Sequence, residues 1–195
     1  NFEIVTLQKK EGIRFNDGKC DPAGRFWAGT MADDAQEGAA ALYCLERDLS
    51  VSIKIPKVTI SNGLVWSSDK KSFYYIDTPT RQIVSYDYDN ASGHIENCQV
   101  AIKIDNQLGK PDGMTIDEED MIHIALWEGG KVVRYNPRTG KLLSTIEVPA
   151  AKRVTSCAFG GEKLDELFIT TASVGLTEME LKEQFNAGKL FSIQM

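Results

Sequence analysis

No stretch of this 195-residue chain offers the ~20 consecutive apolar residues that a helix needs to cross a bilayer, so no membrane partner is expected. Histidine is scarce. His94 and His123 are the only two, neither stands in H-E-x-x-H, and both read as ordinary strand or turn residues, which disfavours His-based triads. G-x-S-x-G, the Walker A loop and the dinucleotide fingerprint are all missing. Basic residues are in the minority, 22 Lys and Arg against 28 Asp and Glu, and are interspersed with the acids. A net charge of −6 and a pI near 5.0 therefore argue against nucleic acid as a partner. The four cysteines, Cys20, Cys44, Cys98 and Cys157, contain no C-x-x-C pair for zinc or redox chemistry. They are expected as reduced thiols buried on strands, which suits a cytoplasmic address. The stretch from Asp87 to Gly93 imitates an EF-hand opening, but Ala91 and Cys98 fall at ligand positions and Gly93 comes one place late, so a hairpin is expected there. Asn1-Phe2-Glu3-Ile4 lacks an initiator Met and the regions of a signal peptide, so no secretion route is visible and upstream sequence is expected to be missing.

What the chain does have is strand signal from end to end. Short β-branched or aromatic runs, among them Ala40–Leu45, Gln82–Tyr88, Met121–Leu126 and Glu166–Thr171, are separated by turn residues at Asn90–Gly93, Glu128–Gly130 and Asn136–Gly140. Only Leu176–Phe185 has helical spacing, with Thr177 placed to cap it and Glu180 three residues on. A phrase recurs through these runs. Asn16-Asp17-Gly18, Ser61-Asn62-Gly63 and Pro111-Asp112-Gly113 each lead through a turn-like stretch into a β-rich run, and Thr155-Ser156-Cys157 falls where a fourth copy belongs. The spacings of Gly18, Gly63, Gly113 and Cys157 are 45, 50 and 44 residues. Such periods belong to four-stranded propeller blades, which bury their faces only by stacking on neighbours. The expected fold is all-β, a β-propeller of roughly four blades filling residues 1–195 as one domain. Its last blade is incomplete, and the chain reads as the C-terminal two-thirds of a larger ring.

The register expected from the repeat sets Gly18, Gly63 and Gly113 at equivalent points beside the axis, with Asn16, Asn62 and Asp112 converging on one axial site. Asn-Gly and Asp-Gly are also common tight-turn dipeptides, and that reading stays open for each copy. Hard cations such as Ca²⁺ or Mg²⁺ take oxygen ligands, and Asn62 with Asp112 supplies two, leaving a third, acidic, to come from another blade. Asp112 is then a candidate base. Arg14 and Asn16 lie one residue apart on an extended segment and share a side, which suits them to grip a polyol or a carboxylate, unless Arg14 simply pairs with a surface acid. Asp33 and Asp34 either reach the same mouth or are solvated loop acids. Trp27, Trp66 and Trp127 serve either inter-blade packing or ligand stacking.

The run from Arg14 to Met31, Ile60-Ser61-Asn62-Gly63-Leu64 with Phe73–Asp77, Pro111-Asp112-Gly113-Met114 and Thr155–Gly161 together resemble the regucalcin family, the senescence-marker-protein and gluconolactonase group. The resemblance runs along essentially the whole chain. It implies a six-bladed propeller and a metal-dependent lactonase that opens sugar lactones such as gluconolactone, with Ca²⁺, Zn²⁺, Mn²⁺ or Mg²⁺ in the central tunnel. It also implies Asn62 and Asp112 as metal ligands, Asp112 as the base, and Arg14 and Asn16 as substrate contacts. Asp34 falls where relatives carry a substrate-contacting Glu, and the family's first-blade glutamate ligand lies upstream of Asn1. Two other readings remain: a calcium-binding regulator without turnover, and a propeller scaffold. Related propeller hydrolases of the phosphotriesterase or luciferin-regenerating type share the same metal platform.

Overall fold

The computed structural model describes residues 11–195, and the Asn1–Ile4 start lies outside them. Four antiparallel sheets follow one another along the chain. The first contains β1 (Ile13–Cys20), β2 (Phe26–Ala32), β3 (Ala40–Leu45) and β4 (Val51–Val58), and the second β5 (Ser61–Trp66), β6 (Ser72–Asp77), β7 (Gln82–Asp89) and β8 (His94–Lys103). The third contains β9 (Lys110–Ile116), β10 (Ile122–Trp127), β11 (Lys131–Asn136) and β12 (Lys141–Glu147), and the fourth has three strands, β13 (Val154–Gly160), β14 (Glu166–Thr171) and β15 (Leu190–Gln194). Every sheet is a meander in sequence order. Their first strands lie side by side, β1 on β5, β5 on β9 and β9 on β13, so the sheets radiate from a shared axis as the blades of a β-propeller.

In the second and third blades burial falls toward the outermost strand, and the sequence follows it. In the second blade β5 is buried throughout, β6 nearly so, and β8 is exposed along most of its length. Strands sandwiched between blades, such as Ile122–Trp127, therefore read as continuous apolar runs, whereas the outer β12 carries Lys, Ser, Thr and Glu on an open edge. The core is three clusters, one for each junction. Trp27, Leu42, Leu64, Phe73 and Tyr75 fill the first, Ile76, Met114, Ile122, Ile124 and Leu126 the second, and Ala125, Val132, Val154, Leu167 and Ile169 the third.

The predicted turns connect first strand to second and repeat their chemistry. Asp21 Oδ1 accepts from the amides of Ala23 and Arg25, and Asp117 Oδ1 from those of Glu119 and Met121. The segment Asn90–Gly93 is the hairpin between β7 and β8, not a cation loop. One short helix, α1 (Glu178–Glu183), starts in a capping box formed by Thr177 and Glu180. Trp27 packs edge-on against Trp66 across the first junction, with ring centroids 5.5 Å apart, and Trp127 lies beneath Arg153 of the last blade. These contacts are the inter-blade alternative for the tryptophans. The cysteine expectation holds for half the set: Cys44 and Cys157 are buried, whereas Cys20 and Cys98 are exposed at strand positions facing solvent, and all four are free. His123 is buried against Asp117, with Nε2 3.0 Å from Oδ2, and His94 is exposed. Among the described residues no helix is long and apolar enough to cross a membrane.

Candidate functional site

Each axial strand is bulged where the repeated phrase falls. In β1 the pairing jumps from Phe15 with Thr30 to Gly18 with Ala28, so Asn16 and Asp17 together oppose Gly29. Asn62 and Gly63 oppose Ile76 in the same way, and Asp112 and Gly113 oppose Ala125. A fourth shift sits between Val154 and Ser156. A bulge re-aims the side chains of an otherwise regular strand. Asn16, Asn62 and Asp112 are therefore equivalent, as expected, but the glycines are not all so. Gly63 and Gly113 lie within their bulges, whereas Gly18 lies one place beyond, and Asp17 holds the position they occupy. The Asn-Gly and Asp-Gly pairs are not hairpin turns at all. A Cβ on Gly63 would stand 2.8 Å from both Asp112 O and Met114 N of the next blade, and one on Gly113 2.4 Å from Ser156 Oγ, so glycine is there to let axial strands approach.

The bulges gather most of the expected residues. Asn62 is buried, donates from Nδ2 to Thr78 Oγ1 at 3.0 Å, and hydrogen-bonds the Asp112 carboxylate. Thr78, in a 3₁₀ turn after β6, passes the link on to Pro111 O at 2.9 Å. Asp112 is half-buried with a pKa pushed up to about 7. Desolvation raises it, the Asn62 bond and the Gly113 amide oppose that, and the negative charge of Asp17 adds to it. Asp17 is itself raised by burial against the pull of the Gly18 amide and Lys19.

At the mouth, Arg14 donates to Asn16 Oδ1 at 3.2 Å and lies 3.6 Å from Asp33 Oδ1, while Asn16 Nδ2 donates to Ser61 O at 2.8 Å. Arg14 and Asn16 thus stand together, and Asn16 ties blade 1 to the residue beside Asn62. Of the two loop acids it is Asp33 that reaches Arg14. Asp34 is exposed and turns its carboxylate to the Gln36 amide, at 3.0 Å. Sequence reasoning named Asp17 only within its motif and passed over Lys19 and Thr78. The first two were recoverable, since alternate residues of a strand share a face and 17 and 19 lie on the same side of β1. Thr78 had no such signal.

Oxygen donors on buried, like-charged acids suit a hard cation, and Asn62 with Asp112 fits part of such a shell. Among the described residues no group of three or more His, Cys, Asp or Glu side chains converges to complete one.

Four bulged axial strands packed side by side define a β-propeller with its candidate site at the axis. The chain belongs to the SMP-30/gluconolactonase/LRE-like family, whose model matches residues 2–173. It is 48% identical over 185 residues to the "putative sugar lactone lactonase YvrE" of Bacillus subtilis, covering 95% of this chain and 63% of that protein. With regucalcin of Danio rerio it shares 43% over 192 residues, covering 97% and 65%. The solved structure of a calcium-binding protein, regucalcin, from Agrobacterium tumefaciens superposes with a TM-score of 0.88 at 30% identity, covering 93% of this chain and 61% of that one. The chain thus spans just under two thirds of the length of these relatives.

Proposed function

We propose that this chain is the lactone-hydrolysing part of a metal-dependent lactonase, acting on sugar lactones at the axial channel and filling the C-terminal two-thirds of a six-bladed ring. The observation that carries the reading is that Asn62 and the half-buried Asp112 stand at equivalent bulges of adjacent axial strands, two oxygen donors brought to one place. Asn62 and Asp112 would hold the ion, Ca²⁺, Zn²⁺, Mn²⁺ or Mg²⁺, with a further acidic ligand from outside the described residues. The chemistry such an ion supplies when bound is Lewis-acid polarisation of a carbonyl and of an attacking water.

The chain's own residues do the rest. Asp112 takes the proton of the attacking water, and Asn62 orients Asp112 by its hydrogen bond. Arg14 offers guanidinium donors at the mouth, where ring and hydroxyl oxygens of a sugar lactone would lie, and Asn16 keeps it in place by accepting its Nη1 hydrogen. Asp34, exposed and with only one carboxylate oxygen on the Gln36 amide, is the proposed acidic substrate contact, and Asp33, ion-paired with Arg14, is a second acid at the mouth. Free thiols at all four cysteines suit a reducing, cytoplasmic setting. The likeness to regucalcin supports a second reading, calcium binding without turnover, at the same two ligands. A gluconolactone-hydrolysis assay after EDTA treatment, with add-back of each metal, decides between them. Turnover restored by metal supports the lactonase, whereas metal binding with no turnover on any aldonolactone leaves the regulator.

A further inference from the structure

The first axial strand carries a charged pair for which the hydrolysis above has no use. Asp17 and Lys19 are alternate residues of β1, both half-buried and facing the same way. Asp17 occupies the bulge position that is glycine in the next two blades, so a carboxylate stands where those blades have no side chain. Lys19 reaches across the axis: its Nζ donates to Met114 O at 3.1 Å, a carbonyl of β9 two blades away and two residues beyond Asp112. Asp17 is the member of the pair felt directly at Asp112, and Lys19 acts there through Asp17. Asp17 pushes the Asp112 proton affinity up, Lys19 pulls that of Asp17 down, and Lys19 is in turn lowered by burial while Asp17 and Cys157 hold it up. Arg14, the cation at the mouth, is already paired with Asp33.

We propose that Lys19 is the internal counter-cation of the channel, a positioning residue that holds down the divalent-ion affinity of the Asn62–Asp112 site, with Asp17 acting in the opposite sense. This rests on the metal-dependent reading. Two carboxylates and one ammonium leave a single negative charge between them, which is enough to attract a cation without trapping it. A purely mechanical role for Lys19, as a strut between β1 and β9, makes the opposite forecast, because cutting a strut loosens the ligands and weakens binding.

The test is direct Mn²⁺ binding by titration calorimetry, with melting temperatures recorded alongside, on the full chain and on Lys19→Met, Lys19→Arg and Asp17→Asn. Lys19→Met keeps the apolar stem and removes the charge, and is expected to bind Mn²⁺ about tenfold tighter, the order of effect of one unit charge at channel distance in a partly screened interior. Lys19→Arg, which keeps the charge, is expected within about twofold of the parent, and Asp17→Asn about tenfold weaker. Unchanged or weaker binding in Lys19→Met overturns the proposal while leaving the lactonase reading in place. If Lys19→Met does not fold, undiminished affinity in Asp17→Asn overturns it equally well. No Mn²⁺ binding by the parent chain overturns this proposal; the metal-dependent reading falls only if the protein that carries the further acidic ligand also fails to bind Mn²⁺.

Discussion

At the scale of single residues the chemistry turns on Asp112. Its folded pKa of about 7 lies above the 3.8 of an unperturbed Asp, so between those values the folded chain keeps a proton that the unfolded chain has lost. Its contribution is therefore fully present at low pH and is lost as pH rises through about 7, with a ceiling of about 4 kcal/mol. Asp112→Asn removes this dependence. In metal-free buffer the melting temperature of the parent should fall, relative to Asp112→Asn, as pH rises from about 4 to about 7. Parallel curves for the two proteins would refute the elevated pKa. Asp112→Ala removes a charged ligand and the base together and should abolish metal-dependent turnover, whereas Asn62→Ala should chiefly weaken metal affinity. Arg14 tests the division of labour. Arg14→Ala should lower kcat/KM for a lactone and leave metal affinity nearly intact, with Arg14→Lys recovering only part, because a point charge does not reproduce a planar fork. Parallel loss of metal and activity in Arg14→Ala would assign Arg14 to the framework instead.

At the scale of elements the decisive feature is the bulge in every axial strand, and it marks where sequence reading reached and where it stopped. Period and polarity placed the blades, the hairpins and the Thr177-capped helix, because those depend on local turn chemistry and alternating burial. The axial strands were less visible. Lys110–Ile116 mixes Lys, Pro, Asp and Gly, a poor strand by composition, and it forms one because the blades on either side bury it. The same cause explains the one-residue error at Gly18. Sequence aligned the glycines, whereas the bulges align Asn16 with Asn62 and Asp112, and only pairing register distinguishes the two. Counting along the sequence singles out Asp34, and the loop adds Asp33 at Arg14 as a second acid that counting alone does not distinguish. A consequence can be measured. Gly63→Ala sets a Cβ against backbone of β9 that has no rotamer to yield, and should destabilise by about 1–3 kcal/mol in urea unfolding. A loss under about 0.5 kcal/mol would mean the axial strands are not so closely apposed.

At the scale of the whole molecule, the blades are held to one another by apolar clusters and by a few polar ties near the axis: Asn16 to Ser61, Thr78 to Pro111 and Lys19 to Met114. The proposed ion lies among these ties, since Asn62 belongs to the second blade and Asp112 to the third. Binding it would staple two blades whose sheets share no strand, so stabilisation should be uneven across the ring. Mn²⁺ should slow amide exchange in β5 and β9 far more than in β15, which closes the last sheet with Leu190 and Ile193 exposed. The effect must also depend on pH, because the ion competes with the Asp112 proton. Below about 7 the proton is held, and the ion has to displace it. The rise in melting temperature produced by saturating Mn²⁺ should thus be larger at about pH 8 than at about pH 5.5. Asp112→Asn, with no proton to displace, should show a small rise that is nearly the same at both. Equal rises for the parent chain at the two pH values, or protection spread evenly to β15, would place the ion somewhere other than between the second and third blades.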